Sequence, residues 1–470
     1  MLDLSARTAV ARMAAGDFTA EAYAEALLAQ CARQKALNAF ITLEPERVRE
    51  AAAAADRRRA AGERVGALHG LPIPIKDSVD TAGLPTTAGT RALASFRPKA
   101  DAPCVARLKA AGAIVLGKTN LHELSFGWTS DNLAFGAVHN PYDPTRIPGG
   151  SSGGTAAAVA AHMAPLGVAE DTQGSIRVPA ALCGICGFRP TTGRYPSQGV
   201  APITPVFDQV GPHARAVDDL ALFDAVMTAD ERPIPAAALE GVRLGVAREY
   251  YWSGLDPEVE TVARAAMARL EGAGVRFVEV ELPDLADLVA KTTAAIQAHD
   301  AAPAFRRWLA DSGSPVSLEQ VMAQLSPDVK AVWERFVLPG APMRPSEAAY
   351  AAARDIHRPA MQRLFADAFR QHNLAAIFFP ACMVAATPIG QDQTVTIAGA
   401  TVPFATAVAR NISPGSTAGL PGLVLPAGLT GAGPPVSIEL DGPAGSDRAM
   451  LALGLAVEGA LGPIPPPPGA

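Results

Sequence analysis

The chain has 470 residues, 49% of them hydrophobic and 18% charged, which excludes a disordered polymer and allows a sizeable buried core. Net charge is −6, from 40 basic residues against 46 acidic ones, and no lysine or arginine run tracks a phosphate backbone, so nucleic acid is not an expected partner. Five cysteines is an odd count; Cys31, Cys104 and Cys382 stand alone, and only Cys183 and Cys186 are close, in ALCGICG. No second ligand pair with zinc spacing accompanies them, so reduced thiols packed among small apolar residues are expected and a metal is not.

The first sixty residues read as helices, with apolar side chains at helical spacing through Tyr23, Leu27 and Cys31, followed by alanine-rich AAAAADRRRAAGE. The N-terminus lacks the basic, apolar, then small-residue order of an export signal, so a cytoplasmic location is expected. LPIPIKDSVD, from Leu71, is short, apolar and bounded by prolines, as a strand entering a turn would be. PCVARLKAAGAIVLGKTN then reads as helix, glycine break and buried strand, and VETVARAAMARLEGAGVRFVEVEL repeats that rhythm around Gly272 and Gly274. Residues 283–371 read as mostly helical, and strand-like runs return at LAAIFFP and LPGLVLP. Strand signals on both sides of the helical block make it an insertion into one sheet. The expectation is an α/β fold: one domain over 1–470, with a central mixed or largely parallel sheet and helices on its faces. Residues 1–65 supply N-terminal helices, 66–220 the motif-bearing core, and proline-rich 462–470 a loose tail. The longest apolar run, Thr155 to Ala169, is shorter than the ~20 residues of a membrane span, so no membrane is expected.

The stretch PGGSSGGTAAAV at 148–159 is a glycine-rich turn that enters a helix-forming segment. As a phosphate cradle it lacks the lysine that follows the glycines of such loops, since Thr155 and Ala156 come next. As a linker it is too apolar on its C-terminal side. Chemistry at a serine remains, and the surroundings support it. DTQGSIRVPAALCGICG presents a second serine after a glycine, and PIPIKD precedes both serines in the chain.

With their flanks, Lys76, Ser151 and Ser175 resemble the amidase signature family of hydrolases. GLPIPIKDSVDTAGLPTTAG, GAIVLGKTNLHELSFG, NPYDPTRIPGGSSGGTAAAVAA, GSIRVPAALCGICGFRPTTG and PPVSIEL stand in the family's order and cover nearly the whole chain. The resemblance implies that Ser175 is the nucleophile, that Ser151 follows a cis peptide bond and relays the proton, and that Lys76 is the base. It further implies an oxyanion hole from the backbone N–H groups of Thr172, Gln173, Gly174 and Ser175, with Ser152, Asp171 and Arg177 in support. It requires no cofactor. A serine hydroxyl is too weakly acidic to attack an amide unaided, and lysine serves as a base only when neutral, which burial promotes.

Two positions depart from the family's usual writing. Gln173 stands where a glycine is common, so a long side chain is expected to narrow the site, and a positive φ would be harder to hold there. Glu170 stands where a small hydroxyl residue is common, and its charge would stabilise protonated Lys76. His122 and His139, near the motifs, read as packing or pocket-wall residues.

The expected substrate is a small neutral, aryl or arylacetic, primary amide. Phe126, Trp128, Phe135 and Phe207 stand near the motifs as candidate pocket walls, with Gly149 and Gly150 beside them, and no arginine cluster offers a carboxylate clamp. The run GFRPTTGRYPSQGVAPITPVFDQVGPHARAVDDLALFD is most similar to the family's bacterial amide hydrolases. Two other readings stay open: the glutaminase subunit of a tRNA-dependent amidotransferase, and a catalytically impaired binding protein that kept the fold. Whether the chain forms a homodimer is also left open.

Overall fold

A computed structural model describes all 470 residues. Its strands, in chain order, are β1 (Phe40–Thr42), β2 (Pro72–Lys76), β3 (Ile114–Thr119), β4 (Asp131–Asn132), β5 (Gly136–Ala137), β6 (Leu166–Asp171), β7 (Cys186–Arg189) and β8 (Gln209–Ala214). They continue as β9 (Arg243–Val246), β10 (Arg276–Glu279), β11 (Ala376–Pro380), β12 (Thr394–Ile397), β13 (Ala400–Pro403), β14 (Gly422–Leu429) and β15 (Pro435–Asp441). Eleven of them form one sheet in the order β1-β3-β2-β6-β8-β7-β14-β15-β11-β9-β10, while β4 with β5 and β12 with β13 make small separate ladders.

The sheet is mixed, with a definite pattern. Parallel pairs lie toward the two flanks, β3 with β2 and β2 with β6 on one side, β11 with β9 and β9 with β10 on the other. The middle, from β6 through β8, β7, β14 and β15 to β11, is antiparallel. The helix–strand rhythm visible in the sequence belongs to the parallel flanks, where a crossover helix is needed to return the chain. Central strands such as β2, β6 and β11 are buried along their whole length, as expected for strands covered on both faces.

The N-terminal helices Ala6–Ala15 and Ala20–Arg33 start at Ser5 and Thr19, whose side chains accept hydrogen bonds from the N–H groups of Thr8 and Ala22. The third helix, Pro45–Ala60, has proline at its first position, where the missing N–H costs nothing. Between them lies β1, a strand at the sheet edge that helical spacing did not reveal.

Between β10 and β11 the chain builds helices Leu285–Asp311, Leu318–Gln324, Pro327–Val332, Glu347–Ala352 and Arg358–His372, with π-helical turns at Trp333–Val337 and Ala353–His357. Phe305, Trp308 and Trp333 form a hydrophobic cluster that also takes in Phe96, Leu124 and Ile203 from the motif-bearing core. The helical block is thereby packed onto the side of the molecule where the motif loops emerge.

The proline-rich C-terminus forms no regular element, yet it is fastened down. Gln30 and Gln34 donate to the Gly469 carbonyl at 3.1 and 2.7 Å, and the Tyr142 hydroxyl donates to that of Pro465 at 2.8 Å. Looseness read from composition is thus corrected by contacts from distant residues. All five cysteines are unpaired and buried; Cys183, at the end of helix Arg177–Leu182, donates to the Pro148 carbonyl at 3.3 Å, and Cys186, at the start of β7, to Glu458 at 3.6 Å. No helix is long and apolar enough to cross a membrane.

Candidate active site

Strands β2 and β6 are parallel neighbours, with Ile75 opposite Val168, so their C-terminal ends reach the same sheet edge. Lys76 ends β2, and Glu170 and Asp171 end β6. After β6 the chain turns through Thr172–Ile176 into the helix Arg177–Leu182, and Ser175 sits in that turn. Ser151 and Ser152 stand just before the helix Gly153–Ala160. The turn that carries them passes so close to its neighbours that side chains would not fit. Gly149 has φ +82° and a Cβ there would lie 2.9 Å from Pro179 Cα, while one at Gly154 would lie 2.3 Å from the Asn120 carbonyl oxygen. The peptide bond between Gly150 and Ser151 is cis.

Lys76 is fully buried, and its Nζ donates to Ser151 Oγ at 2.6 Å and to Glu170 Oε1 at 2.5 Å. Burial pushes the lysine pKa below its usual value, and the Glu170 carboxylate, followed by Asp171 and Asp208, opposes that push. Ser125 Oγ donates to the same Glu170 oxygen at 2.6 Å. Ser152 Oγ donates to the Glu170 carbonyl at 3.1 Å, and the Ser152 N–H donates to the Ser175 carbonyl at 3.3 Å, joining the two serine loops.

Asp171 organises the turn. Its carboxylate accepts the N–H groups of Gly174 and Ile176 at 2.8 and 3.1 Å, and two bonds from Arg177 at 3.0 and 3.1 Å. Burial alone would raise its pKa, but the guanidiniums of Arg177 and Arg189 hold it well below the usual carboxylate range. Arg177 also donates to Glu439 at 2.6 Å, so this ion cluster is buried, paired and continuous with β15.

The N–H groups of Thr172, Gln173 and Ser175 have no acceptor within the protein, and neither does Ser175 Oγ. Gly174 is a correction: its N–H is held by Asp171, so three donors of the expected oxyanion set remain open, not four. Gly174, and not Gln173, takes the left-handed conformation, with φ +102°. The expected backbone difficulty at Gln173 therefore does not arise. The Gln173 side chain is tied between Ser413 and Thr417, and the Gln173 backbone carbonyl accepts from Trp128 Nε1 at 2.9 Å.

Ser175 opens into a cavity of about 280 Å³. Ser125, Phe126, Trp128, Thr172 and Gln173 form its near wall, and Ile203 contributes beside them. Its far wall comes from the helical block: Ala294, Gln297 and Ala298, then Val332, Phe336, Val337, Met343 and Pro345. A larger cavity of about 950 Å³ reaches Asp208 but not Ser175.

Of the aromatic candidates, Phe126 and Trp128 line the Ser175 cavity. Phe207 does not: it is fully buried against Ala295, Ile296 and Ala353, under the Arg358 guanidinium. Phe135 faces Arg91 instead, and Gly149 and Gly150 pack against Pro179 and the Trp128–Ser130 backbone. His122 is buried with Nδ1 beside Thr129, and His139 bonds the Pro144 carbonyl, so both are structural. Glu170, expected to act on Lys76 through its charge, touches it directly, whereas Ser125 as the second donor to Glu170 and the whole far wall are residues the motifs did not single out. One trace of that wall was readable: Ala294, Gln297 and Ala298 follow the i, i+3, i+4 spacing of a single helix face.

The amidase family model matches residues 22–451. An indoleacetamide hydrolase from Agrobacterium vitis is 41% identical over 96% of this chain and 95% of its own, and a mandelamide hydrolase from Pseudomonas putida is 37% identical over 96% and 90%. The crystal structure of peptide amidase from Stenotrophomonas maltophilia superposes with a TM-score of 0.82 at 29% identity, covering 99% of this chain and 98% of that one. The chain belongs to the amidase family. It is a hydrolase of amide carbon–nitrogen bonds.

Proposed function

We propose that this amidase hydrolyses small, neutral aryl or arylacetic primary amides to a carboxylic acid and ammonia, with Ser175 as nucleophile. The observation that carries the reading is the position of Ser175. Its unpartnered hydroxyl lies at an apolar cavity beside three open N–H donors, and its carbonyl accepts from the N–H of Ser152, the residue next to the Ser151 that buried Lys76 holds.

Ser175 Oγ attacks the amide carbonyl carbon while its proton passes to Ser151, and the Ser151 proton passes to neutral Lys76. The carbonyl oxygen becomes an oxyanion, held by the N–H groups of Thr172, Gln173 and Ser175; each such donor typically contributes a few kcal/mol. The C–N bond then breaks, and the nitrogen leaves with the proton returned through the same relay. Water attacks the acyl-enzyme by the reverse route and releases the acid.

Size and polarity favour the substrate class. The cavity lies at the small end of ligand sites, which suits one aromatic group rather than a peptide. Its lining has no charged side chain, and burying a ring there contributes about 2 kcal/mol, whereas an unpaired ammonium or carboxylate would cost several. The relatives are consistent with this, since two are named for arylacetic-type amides.

A panel of primary amides with ammonia detection, run on wild type and Ser175→Ala, tests the reading. Release of ammonia from aryl and arylacetic amides by wild type alone supports it. Equal release by Ser175→Ala would remove Ser175 as nucleophile. A preference for glutamine would favour the amidotransferase-subunit reading.

A further inference from the structure

Glu170 is only 2% exposed and ends β6 beside a lysine that is 0% exposed. One carboxylate oxygen takes two donors, Lys76 Nζ and Ser125 Oγ. Ser125 reaches it from two consecutive non-glycine residues in the left-handed region, Leu124 with φ +51° and Ser125 with φ +62°. Such backbone costs about 1 kcal/mol or more per residue and persists where the surroundings require it. The same serine lines the substrate cavity, so the carboxylate is braced from the substrate side and the relay side at once.

We propose that Glu170 is a positioning residue of the relay: its carboxylate holds Lys76 Nζ against Ser151 and makes the lysine harder to deprotonate, moving the onset of activity to higher pH. This rests on the proposed role of Lys76 as the base. The carboxylate carries both effects at once. It orients the one ammonium proton it accepts, leaving another directed at Ser151, and it stabilises the charged lysine that burial disfavours.

Other ionisable groups face the pair and must be separated from it. Asp171 is committed to Arg177 and Arg189, and Asp77, next to Lys76 in the chain, pairs with Lys118 at 3.1 Å. His122 and His213 feel the Lys76 charge, but burial lowers both to about 4, below the working range. Asp208 is the remaining candidate, pushed up to about 8 by burial and then by Glu170, and bonded by Thr172 at 2.6 Å.

The test is the acid limb of kcat/KM against pH for wild type, Glu170→Gln and Glu170→Thr, each also in an Asp208→Asn background. The neutral variants are expected to move the midpoint to lower pH by about one unit or more, with a lower plateau from the loosened Nζ. The shift should persist when Asp208 is absent. Ser125→Ala, which leaves both members of the pair, should move the midpoint the same way by a smaller step and keeps the test available if neither Glu170 variant folds. An unmoved midpoint in the folded variants overturns the proposal. Labelling of Ser175 by a fluorophosphonate keeps the two readings apart: labelled wild type with unmoved midpoints removes only the role of Glu170, whereas no labelling of Ser175 removes the relay itself.

Discussion

The two walls of the Ser175 cavity are built differently. Behind the near wall, at the ends of β2 and β6, lies a buried polar layer in which Lys76, Ser151, Glu170, Asp171 and Arg177 each hold at least one partner at 3.1 Å or less, while the Thr172, Gln173 and Ser175 N–H groups stay open. The wall from the helical block is mostly apolar, and its one polar side chain, Gln297, forms no hydrogen bond within the protein. On the proposed relay, that polar layer passes protons from Ser175 through Ser151 to Lys76. The helical wall can change shape and size at little cost to it. On the proposed reading the reaction chemistry belongs to the ends of β2 and β6 and substrate choice to the insertion, so substitutions on the two sides should separate in their effects.

The largest effect belongs to the sheet side. Ser175→Ala should lower kcat by about 10³-fold or more without loss of folding, since only a hydroxyl is removed. Lys76→Ala alone should cost a comparable factor, and the double variant should be scarcely worse than either single one, because relay members act as a unit. Steady-state kinetics on the three proteins check this; additive losses would break the relay.

Next in size is a stability effect from the same side. Arg177→Met strands Glu439 in a buried site and leaves Asp171 with Arg189 alone, and should destabilise the fold by about 3–5 kcal/mol, measured by denaturant unfolding. Arg177 does not line the cavity, so any activity lost in the folded variant should come through the Ser175 turn that Asp171 holds.

The pH dependence has a definite sign. On the proposed relay the neutral form of Lys76 is the active one, so activity should rise with pH as the lysine loses its proton. Because burial places its pKa below the model-peptide value of 10.5, the rise should be centred below that value. Activity highest at acid pH would contradict a lysine base.

On the insertion side the effects should be smaller and selective. Phe336→Ala should reduce kcat/KM for aryl amides by about tenfold, the scale of a lost aromatic contact, while leaving Ser175 labelling unchanged. Gln297→Leu should change it by only a few-fold, and should separate substrates with a hydrogen-bonding acyl group from those without one. Uniform loss across all amides would place these residues in the chemistry instead.

The same division explains what could be read from the sequence. Lys76, Ser151 and Ser175 lie in short segments whose glycines and small residues are forced by close backbone approach, so local pattern and site coincide. Asp171 and Arg177 belong to that same stretch. The far wall is assembled from helix faces 119 residues or more beyond Ser175 in the chain, such as Ala294–Ala298 and Val332–Val337, where apolar residues look like ordinary core. Phe207 shows the converse, an aromatic beside a motif that packs into a core cluster and never reaches the cavity. Antiparallel pairing in the middle of the sheet was equally hidden, since strands β7, β8, β14 and β15 carry no helix between partners to mark their direction. The charge of Glu170 on Lys76 was expected from the motif, but the direct contact needed the parallel register of β2 and β6, which no linear spacing conveys.

The most direct test of an apolar, sheet-edge serine amidase is a side-by-side measurement of kcat/KM for indole-3-acetamide, mandelamide, benzamide and glutamine with one preparation of the wild-type protein. The arylacetic amides should lead, with glutamine lowest by about tenfold or more, as expected when a charged amino acid must be buried without a partner. Glutamine at the head of the series would contradict the account.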